Sequence, residues 1–401
     1  MSPTPAAGPL RNITVLDLSR VLSGPYCTMQ LADMGARVIK IERPGAGDDT
    51  RAWGPPFVKG ESAYFLSINR NKESVTLNFK HPEGRRLLDA LIARADVLVE
   101  NFRPGTLEDM GLGYDALHAQ HPRLVYTSIS GFGHTGPLRE RAGYDAVLQG
   151  EAGLMSITGP ADGPGYKVGV AIADLAAGLF AAQGTLLALY ERERSGRGQH
   201  VDIAMLDSVA ALLTYQAGIY FTTGAPPKRT GNAHPTVAPY ETFQASDGDV
   251  VLAAGNDELW RRFCRVAGLD AYATDPRFAT NGDRVRHYAA LRPIVVEVFA
   301  RRTRAEWLDL LNEAGIPAGP VRNLHEVLTD EQLLAREMVH TLPHAVAGPV
   351  QVLGAPVKLS DTPGAVRCSP PALGEHTDKV LMGDLGLSAA EVAALRTAGV
   401  V

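Results

Sequence analysis

Asp174 is the one charged residue in Val168–Tyr190, VGVAIADLAAGLFAAQGTLLALY. A carboxylate in so apolar a setting has two readings. Near a helix N-terminus the helix dipole keeps it ionised, and partial loss of water strengthens it as a nucleophile or base. Alternatively it is an N-cap that accepts from the free N–H groups of a first turn. Spacing alone favours the cap, given how common Asp caps are. The stretch is also long enough to invite a membrane-spanning reading, since ~20 apolar residues cross a bilayer. Asp174, Gln183 and the many Ala and Gly residues favour a core helix packed through small side chains.

Other residues suggest a ligand around that carboxylate. The loop Ser130–Pro137, SGFGHTGP, follows a strand end, where parallel sheets bind their ligands. It reads equally as a plain turn with His134 in solvent. Arg20, Arg43, Arg51, Lys72, Lys80 and Arg103 fall near strand ends or in loops, which suits a phosphorylated ligand or ordinary surface charge. Competing chemistries lack their signatures. There is no GxxxxGK[ST] loop, no GxSxG elbow and no HExxH. The eleven histidines show no ligand spacing with cysteines or carboxylates, so no metal site is expected. Arg20-Val21-Leu22-Ser23-Gly24-Pro25, a helix, and a strand ending in Glu42 imitate a dinucleotide fingerprint without its glycines. Pro25 reads there as the first helical residue.

The elements that must position these groups alternate along the first half. Ile13–Leu18, Arg37–Glu42, Val75–Phe79, Asp96–Glu100 and Leu124–Ile129 read as strands, with helices to Met34 and over Pro82–Ala93 between them. That alternation predicts an α/β fold with a parallel, doubly wound sheet. Strand Gln199–Ala204 and helix Leu206–Phe221 follow the apolar helix. After the linker-like TGAPP at 223–227 come strands Tyr240–Phe243 and Val250–Ala254. Helices near Asp257–Ala267, Arg284–Ala300 and Ala305–Ala314 complete a smaller α+β unit. The expected division is therefore 1–224, 225–325 and 326–401. The last part holds a strand-like VQVLGAPVKLS and a helical AAEVAALRTAG.

Composition narrows the function classes. With 401 residues and 45% hydrophobic content the chain can bury a large core, which excludes a disordered protein. A net charge of −5 argues against a general nucleic-acid binder. Cys27, Cys264 and Cys368 are too few and too far apart for a disulfide framework. The opening MSPTPAAGPLRNITVLDL has no basic segment followed by an apolar one, so no secretory leader is expected and a cytoplasmic location is the default. The 41 Gly and 27 Pro residues read as turns and close backbone approaches.

Several long motifs, in order and over nearly the whole chain, resemble one family. They are VLDLSRVLSGPYCTMQLADMGARVIKIERPGAGDDTR, NRNKESVTLNFKHPEG, DVLVENFRPG, GYDAVLQGEAG, ADLAAGLFAAQGTLLALYERERSGRGQHVDIAM, GNAHPTVAPYETF and LGEHTDKVL. They are similar to the class III CoA-transferases, the CaiB/BaiF family. The resemblance implies a Rossmann-like large domain built from both chain ends, with the smaller α+β domain inserted. Two ring-like monomers would interlock as a homodimer, which also accounts for the abundant Gly and Pro.

The resemblance places the catalytic aspartate on Asp174. It implies attack on an acyl-CoA thioester, a mixed anhydride, an aspartyl-CoA thioester, and transfer of CoA to an acceptor carboxylate. Coenzyme A is then a substrate, and no tightly bound cofactor is implied. CoA-contacting positions fall on Arg20, Val21, Arg43, Leu77, Lys80, Asn101, Phe102, Arg103 and Met205. Asp109 stands where the family often carries an arginine, a charge that Arg103 would then supply. The glycine-triplet loop of formyl-CoA transferases is replaced by AAGND. The chain is more similar to succinyl-CoA-dependent transferases of dicarboxylates. Tyr144, Asp145, Arg229, Asn232 and His234 become substrate-binding candidates, the last three alternatively forming only a linker loop. The α-methylacyl-CoA racemases of the family carry a His in a GHD motif, where this chain has Gly143-Tyr144-Asp145. Without that second acid/base group, transfer is favoured over racemisation. A non-catalytic acyl-CoA binder is the third alternative.

Overall fold

Short aliphatic runs separated by helices fold into six strands of one parallel sheet. They are β1 (Thr14–Asp17), β2 (Arg37–Glu42), β3 (Lys72–Thr76), β4 (Val97–Glu100), β5 (Val125–Ser130) and β6 (His200–Ala204). This computed structural model describes residues 8–401. The spatial order is 3-2-1-4-5-6 with every pairing parallel. That is the doubly wound, Rossmann-like order, whose direction reverses between β1 and β4. In register, Val15 lies between Val38 and Val97, so alternate residues of all three strands face one way.

Each face of the sheet buries its own core. Val15, Val38, Val97, Val99, Val125 and Val201 pack under helices α1 (Ser23–Asp33) and α5 (Ile172–Ser195). Leu16, Ile39, Leu98 and Tyr126 pack under α2 (Pro82–Ile92), α3 (Tyr114–Gln120) and the helices Thr377–Gly383 and Ala389–Thr397. The C-terminal helices thus complete the sheet that the N-terminal residues begin. Two further helices, α4 (Asp145–Glu151) and α6 (Met205–Leu212), flank α5.

The apolar stretch becomes α5, ended by Gly196 in a left-handed conformation with φ 73°. Ala173, Ala177 and Ala181 recur every four residues on its buried face. Gly178 is there because a Cβ would lie 2.7 Å from the Ser23 carbonyl oxygen of α1. Among the described residues α5 is the one helix long and apolar enough to cross a membrane, and half of its most apolar window is buried in the chain.

Two compact units share the chain. One contains the residues up to Leu154, Val168–Tyr215 and Glu331–Val401; the other contains Met155–Lys167 and Gln216–Asp330. The second unit is built on a three-stranded antiparallel sheet, Tyr240–Ala245, Gly248–Ala253 and Ala318–Pro320. Its core is aromatic, with Phe243, Trp260, Phe263, Phe299 and Trp307 in contact.

Several element limits differ from the sequence expectation for physical reasons. β3 starts at Lys72 rather than Val75 because Lys72 is buried, its ammonium 3.2 Å from Asp17 and 2.8 Å from the Pro25 carbonyl. The helix expected over 206–221 breaks at Leu213, where Thr214 takes φ 36°, into Met205–Leu212 and Thr214–Thr223. The one expected over 284–300 breaks at His287 into Asn281–Arg286 and Tyr288–Phe299. Helix α1 starts at Ser23, which puts Pro25 third in the first turn, still where no N–H is needed.

Candidate active site

Asp174 is the third residue of α5, partly buried at its N-terminal end. It is not the cap. The residue before the helix is Ala171, whose methyl group cannot accept a hydrogen bond, and the first turn is capped from outside. Asp145 Oδ1 accepts the Ala173 N–H at 2.8 Å, while Asp145 Oδ2 accepts from Gln149 at 2.7 Å. A second carboxylate thus does the capping, and Asp174 is left facing a cavity. Gln149 also holds the chain entering α5, accepting from the Val168 N–H at 2.9 Å.

That cavity, about 260 Å³, brings together Arg20, Val21, Ser23, Asn101, Phe102, Arg103, Tyr144, Asp145, Asp174 and Met205, among others. A second one, about 450 Å³, is lined by Arg20, Arg43, Leu77, Lys80 and Phe102 and by Lys40, Glu42 and Asp48. The two share Arg20 and Phe102, whose ring lies 5.0 Å from the Arg20 guanidinium carbon. Both open at the C-terminal ends of the strands, where a doubly wound sheet binds its ligands. Asp109 lines neither of them. Arg229, Asn232 and His234 belong to the other compact unit. Arg229 there donates to the carbonyls of Ser156, Pro160 and Gly163, and His234 stacks on Tyr240 at 5.5 Å.

The loop after β5 divides its residues between two cavities. Ser130 and Gly131 line the Asp174 cavity. A Cβ on Gly131 would lie 2.8 Å from Gly143 Cα, so two backbones touch where this loop meets the segment before α4. His134 instead points into a third cavity with Glu108, Tyr114 and His200.

Two buried carboxyls at the strand ends have a raised proton affinity: Glu100, which burial pushes up to about 7, and Asp174. Burial and the neighbouring Asp145 charge push its carboxyl up to about 7, against a smaller opposing pull from Ser23. The carboxylate is therefore unusually basic for an aspartate. Tyr64 lies within reach of the same charges and is pushed up to about 12, mainly by burial and next by Asp174.

The cations divide by partner. Arg51 is committed to Glu42 through two 2.7 Å bonds, and Lys72 to Asp17, so neither is available to a phosphate. Arg20 and Arg43 share Asp49. Arg141 pairs with Glu151. Arg103 is exposed and donates to the Glu140 carbonyl at 2.8 Å, with no carboxylate partner among the described residues. Among those residues no group of three His, Cys, Asp or Glu side chains is placed to hold a metal ion. Sequence reasoning missed Ser23, Asp48, Asp49 and Arg141. Ser23 had a signal, a hydroxyl in the SGP that opens a helix; the others are placed only by the fold.

Known proteins resemble this chain over most of its length. The sequence model of CoA-transferase family III matches residues 10–377. The succinyl-CoA:glutarate CoA-transferase of Mus musculus is 43% identical over 393 residues, covering 98% of this chain and 90% of that protein. The acetyl-CoA:oxalate CoA-transferase of Acetobacter aceti is 42% identical over 360 residues, covering 90% and 91%. A crystal structure of a CaiB/BaiF family protein from Brucella suis superposes with a TM-score of 0.84 at 42% identity, covering 94% of this chain and 99% of that one.

Proposed function

The chain belongs to CoA-transferase family III, and from that we propose that it moves CoA from succinyl-CoA to a dicarboxylate through covalent intermediates on Asp174. The observation that carries this reading is the position of Asp174. It is a carboxylate of raised basicity on a cavity that adjoins a larger, cation-rimmed one. The relatives named for succinyl-CoA:glutarate and acetyl-CoA:oxalate transfer support an acyl-CoA donor and a dicarboxylate acceptor.

The nucleotide end of CoA would occupy the larger cavity. Arg20, Arg43 and Lys80 meet its phosphates, and Leu77 and Phe102 its flat or apolar parts. The pantetheine would pass Val21, Asn101, Arg103 and Met205 to reach Asp174. One Asp174 oxygen attacks the thioester carbonyl, the C–S bond breaks, and a mixed anhydride and CoA thiolate form. The thiolate attacks the aspartyl carbon and releases the donor acid. The acceptor carboxylate then attacks the aspartyl-CoA thioester and expels the thiolate, leaving a second anhydride; the thiolate attacks the acceptor's carbonyl carbon in it and releases the Asp174 carboxylate. Several modest barriers replace one high one, and the carboxylate is regenerated.

A homodimer is part of this reading. Leu179, Leu186, Leu187 and Tyr190 form one exposed stripe on α5, and Tyr190 is 68% exposed. A stripe of this kind suits burial against a second copy.

The test is covalent trapping. During turnover with succinyl-CoA, hydroxylamine or borohydride should modify Asp174 alone, as read by peptide mass spectrometry. Asp174→Ala should abolish transfer while CoA still binds. Turnover surviving in that variant overturns the assignment.

A further inference from the structure

Helix α1 begins without a side-chain cap, since Leu22 precedes it. Its first N–H groups therefore find no side-chain acceptor on the residue before the helix. The first helical residue, Ser23, is 3% exposed and lines the cavity of Asp174. Ser23 and Asp174 share that cavity, and hydrogen bonding by the Ser23 hydroxyl and N–H opposes the upward push on the Asp174 carboxyl. Backbone contact fixes their separation. Asp174 and Gly178 lie four residues apart on one face of α5. The absent Cβ of Gly178 is what lets the Ser23 carbonyl approach that face.

The turn before Ser23 is held in a costly shape. Val21, a β-branched residue, sits in the left-handed region at φ 67°. Asn101 takes both backbone groups of the preceding residue: its Oδ1 accepts the Arg20 N–H at 2.8 Å and its Nδ2 donates to the Arg20 carbonyl at 2.7 Å. Asp48 accepts the Val21 N–H at 3.3 Å. The same Asn101 Nδ2 approaches Ser23 Oγ at 3.4 Å. With Oγ accepting from Asn101, its own proton is left to donate towards Asp174. Donors linked in series in this way polarise one another.

We propose that Ser23 is a second catalytic residue of this site, whose hydroxyl and N–H hold the Asp174 oxygen that becomes an oxyanion, and that Asn101 positions it. The proposal rests on Asp174 being the nucleophile. When the CoA thiolate adds to the aspartyl carbon of the anhydride, an S–C bond forms and the C=O electron pair moves onto the aspartyl oxygen. Collapse of that pair breaks the bond to the donor's carboxylate, which leaves. Attack by the acceptor on the aspartyl thioester generates the same oxyanion, and there the C–S bond breaks. Donors placed in advance stabilise the charge as it appears, at no cost of reorganisation.

The experiment compares wild type, Ser23→Ala and Ser23→Gly, all full-length, by rapid quench with succinyl-CoA and mass spectrometry of the adduct on Asp174. Two variants guard against a folding defect in either, and thermal melting identifies one. Formation of the adduct should slow by about 10- to 100-fold in both variants, with CoA affinity unchanged. The acid limb of kcat/KM should move to higher pH, because a donor to the ionised carboxylate is gone; a merely structural serine would not move it. Wild-type adduct kinetics in folded variants overturn the role of Ser23 and leave Asp174 standing. A wild-type enzyme that turns over without any adduct on Asp174 overturns both.

Discussion

Asp145 caps the helix on which Asp174 sits, and in doing so brings a second negative charge next to it. The Ala173 N–H that Asp145 accepts belongs to the residue immediately before Asp174. One contact therefore both fixes the start of α5 and raises the proton affinity of Asp174. The helix dipole that favours a carboxylate at this end is shared between the two. Desolvation remains the larger cause of the shift.

Asp145→Asn separates the two effects. The amide oxygen still accepts the Ala173 N–H, so the helix start survives. The like charge is gone, so Asp174 ionises more readily. The acid limb of kcat/KM, expected near pH 7 in wild type, should move to lower pH by ~0.5–1 unit. Burial is untouched, so the limb should stay above that of an ordinary aspartate. A pH-rate profile checks this, and an unmoved limb would show that the two charges do not interact.

Asp174 should also cost the protein stability. The native carboxyl keeps its proton up to about pH 7, whereas the unfolded chain releases it near 3.8. Between those values the native state binds more protons, so stability falls as pH rises through that window. Asp174→Asn removes the titration. Its melting temperature should match wild type near pH 4 and exceed it by a few degrees above pH 7, on the order of 2–5 °C. Scanning calorimetry across pH 4–8 measures the divergence. A constant offset would place the effect elsewhere.

The sheet was legible because its strands are runs of aliphatic residues at a regular spacing, and Arg37–Glu42 appears as read. The start of β3 was not, because Lys72 and Ser74 are buried polar residues whose partners are distant in sequence: Asp17 for one, Glu42 for the other. Lys72 and Arg51 looked like phosphate ligands for the same reason, since a sequence shows a charge but not its counter-charge. Asp174 was conspicuous by its apolar surroundings. Its cap was invisible, because Asp145 reaches it from another helix 28 residues earlier. The lining of the two cavities depends on which strands are neighbours, and that order, 3-2-1-4-5-6, is not the order of the chain.

Arg103 is the exposed cation of the Asp174 cavity that has no carboxylate partner among the described residues. Such a group is available to a bound anion without first breaking an ion pair. Arg103→Ala should raise KM for the acyl-CoA donor by roughly tenfold, the effect of one lost charge-assisted contact, with kcat within a factor of two or three. Steady-state kinetics at two ionic strengths checks it, since the wild-type KM should rise with salt more steeply than that of the variant. Equal salt dependence would remove Arg103 from CoA recognition.

Lys40 and Asp48 form an ion pair at 2.9 Å, with side chains 0% and 1% exposed, beneath the turn that carries Val21. The ammonium also donates to the Ser19 carbonyl at 2.9 Å. Asp48→Ala would leave that ammonium buried with its closest counter-ion removed. Breaking one half of a buried pair costs about 3–5 kcal/mol, and the remaining charges of Asp17 and Glu42 compensate only partly. The same substitution frees the Val21 N–H and removes the acceptor that organises Thr50. The variant should therefore lose stability and activity together. Asp48→Ala combined with Lys40→Met should recover most of the stability, because the buried ammonium that lost its closest counter-ion is gone as well. It should not recover the activity, because the Val21 turn still lacks its acceptor. Denaturant titration and turnover measured on both variants separate the two roles, and full recovery of turnover in the double variant would mean that Asp48 serves only to neutralise Lys40.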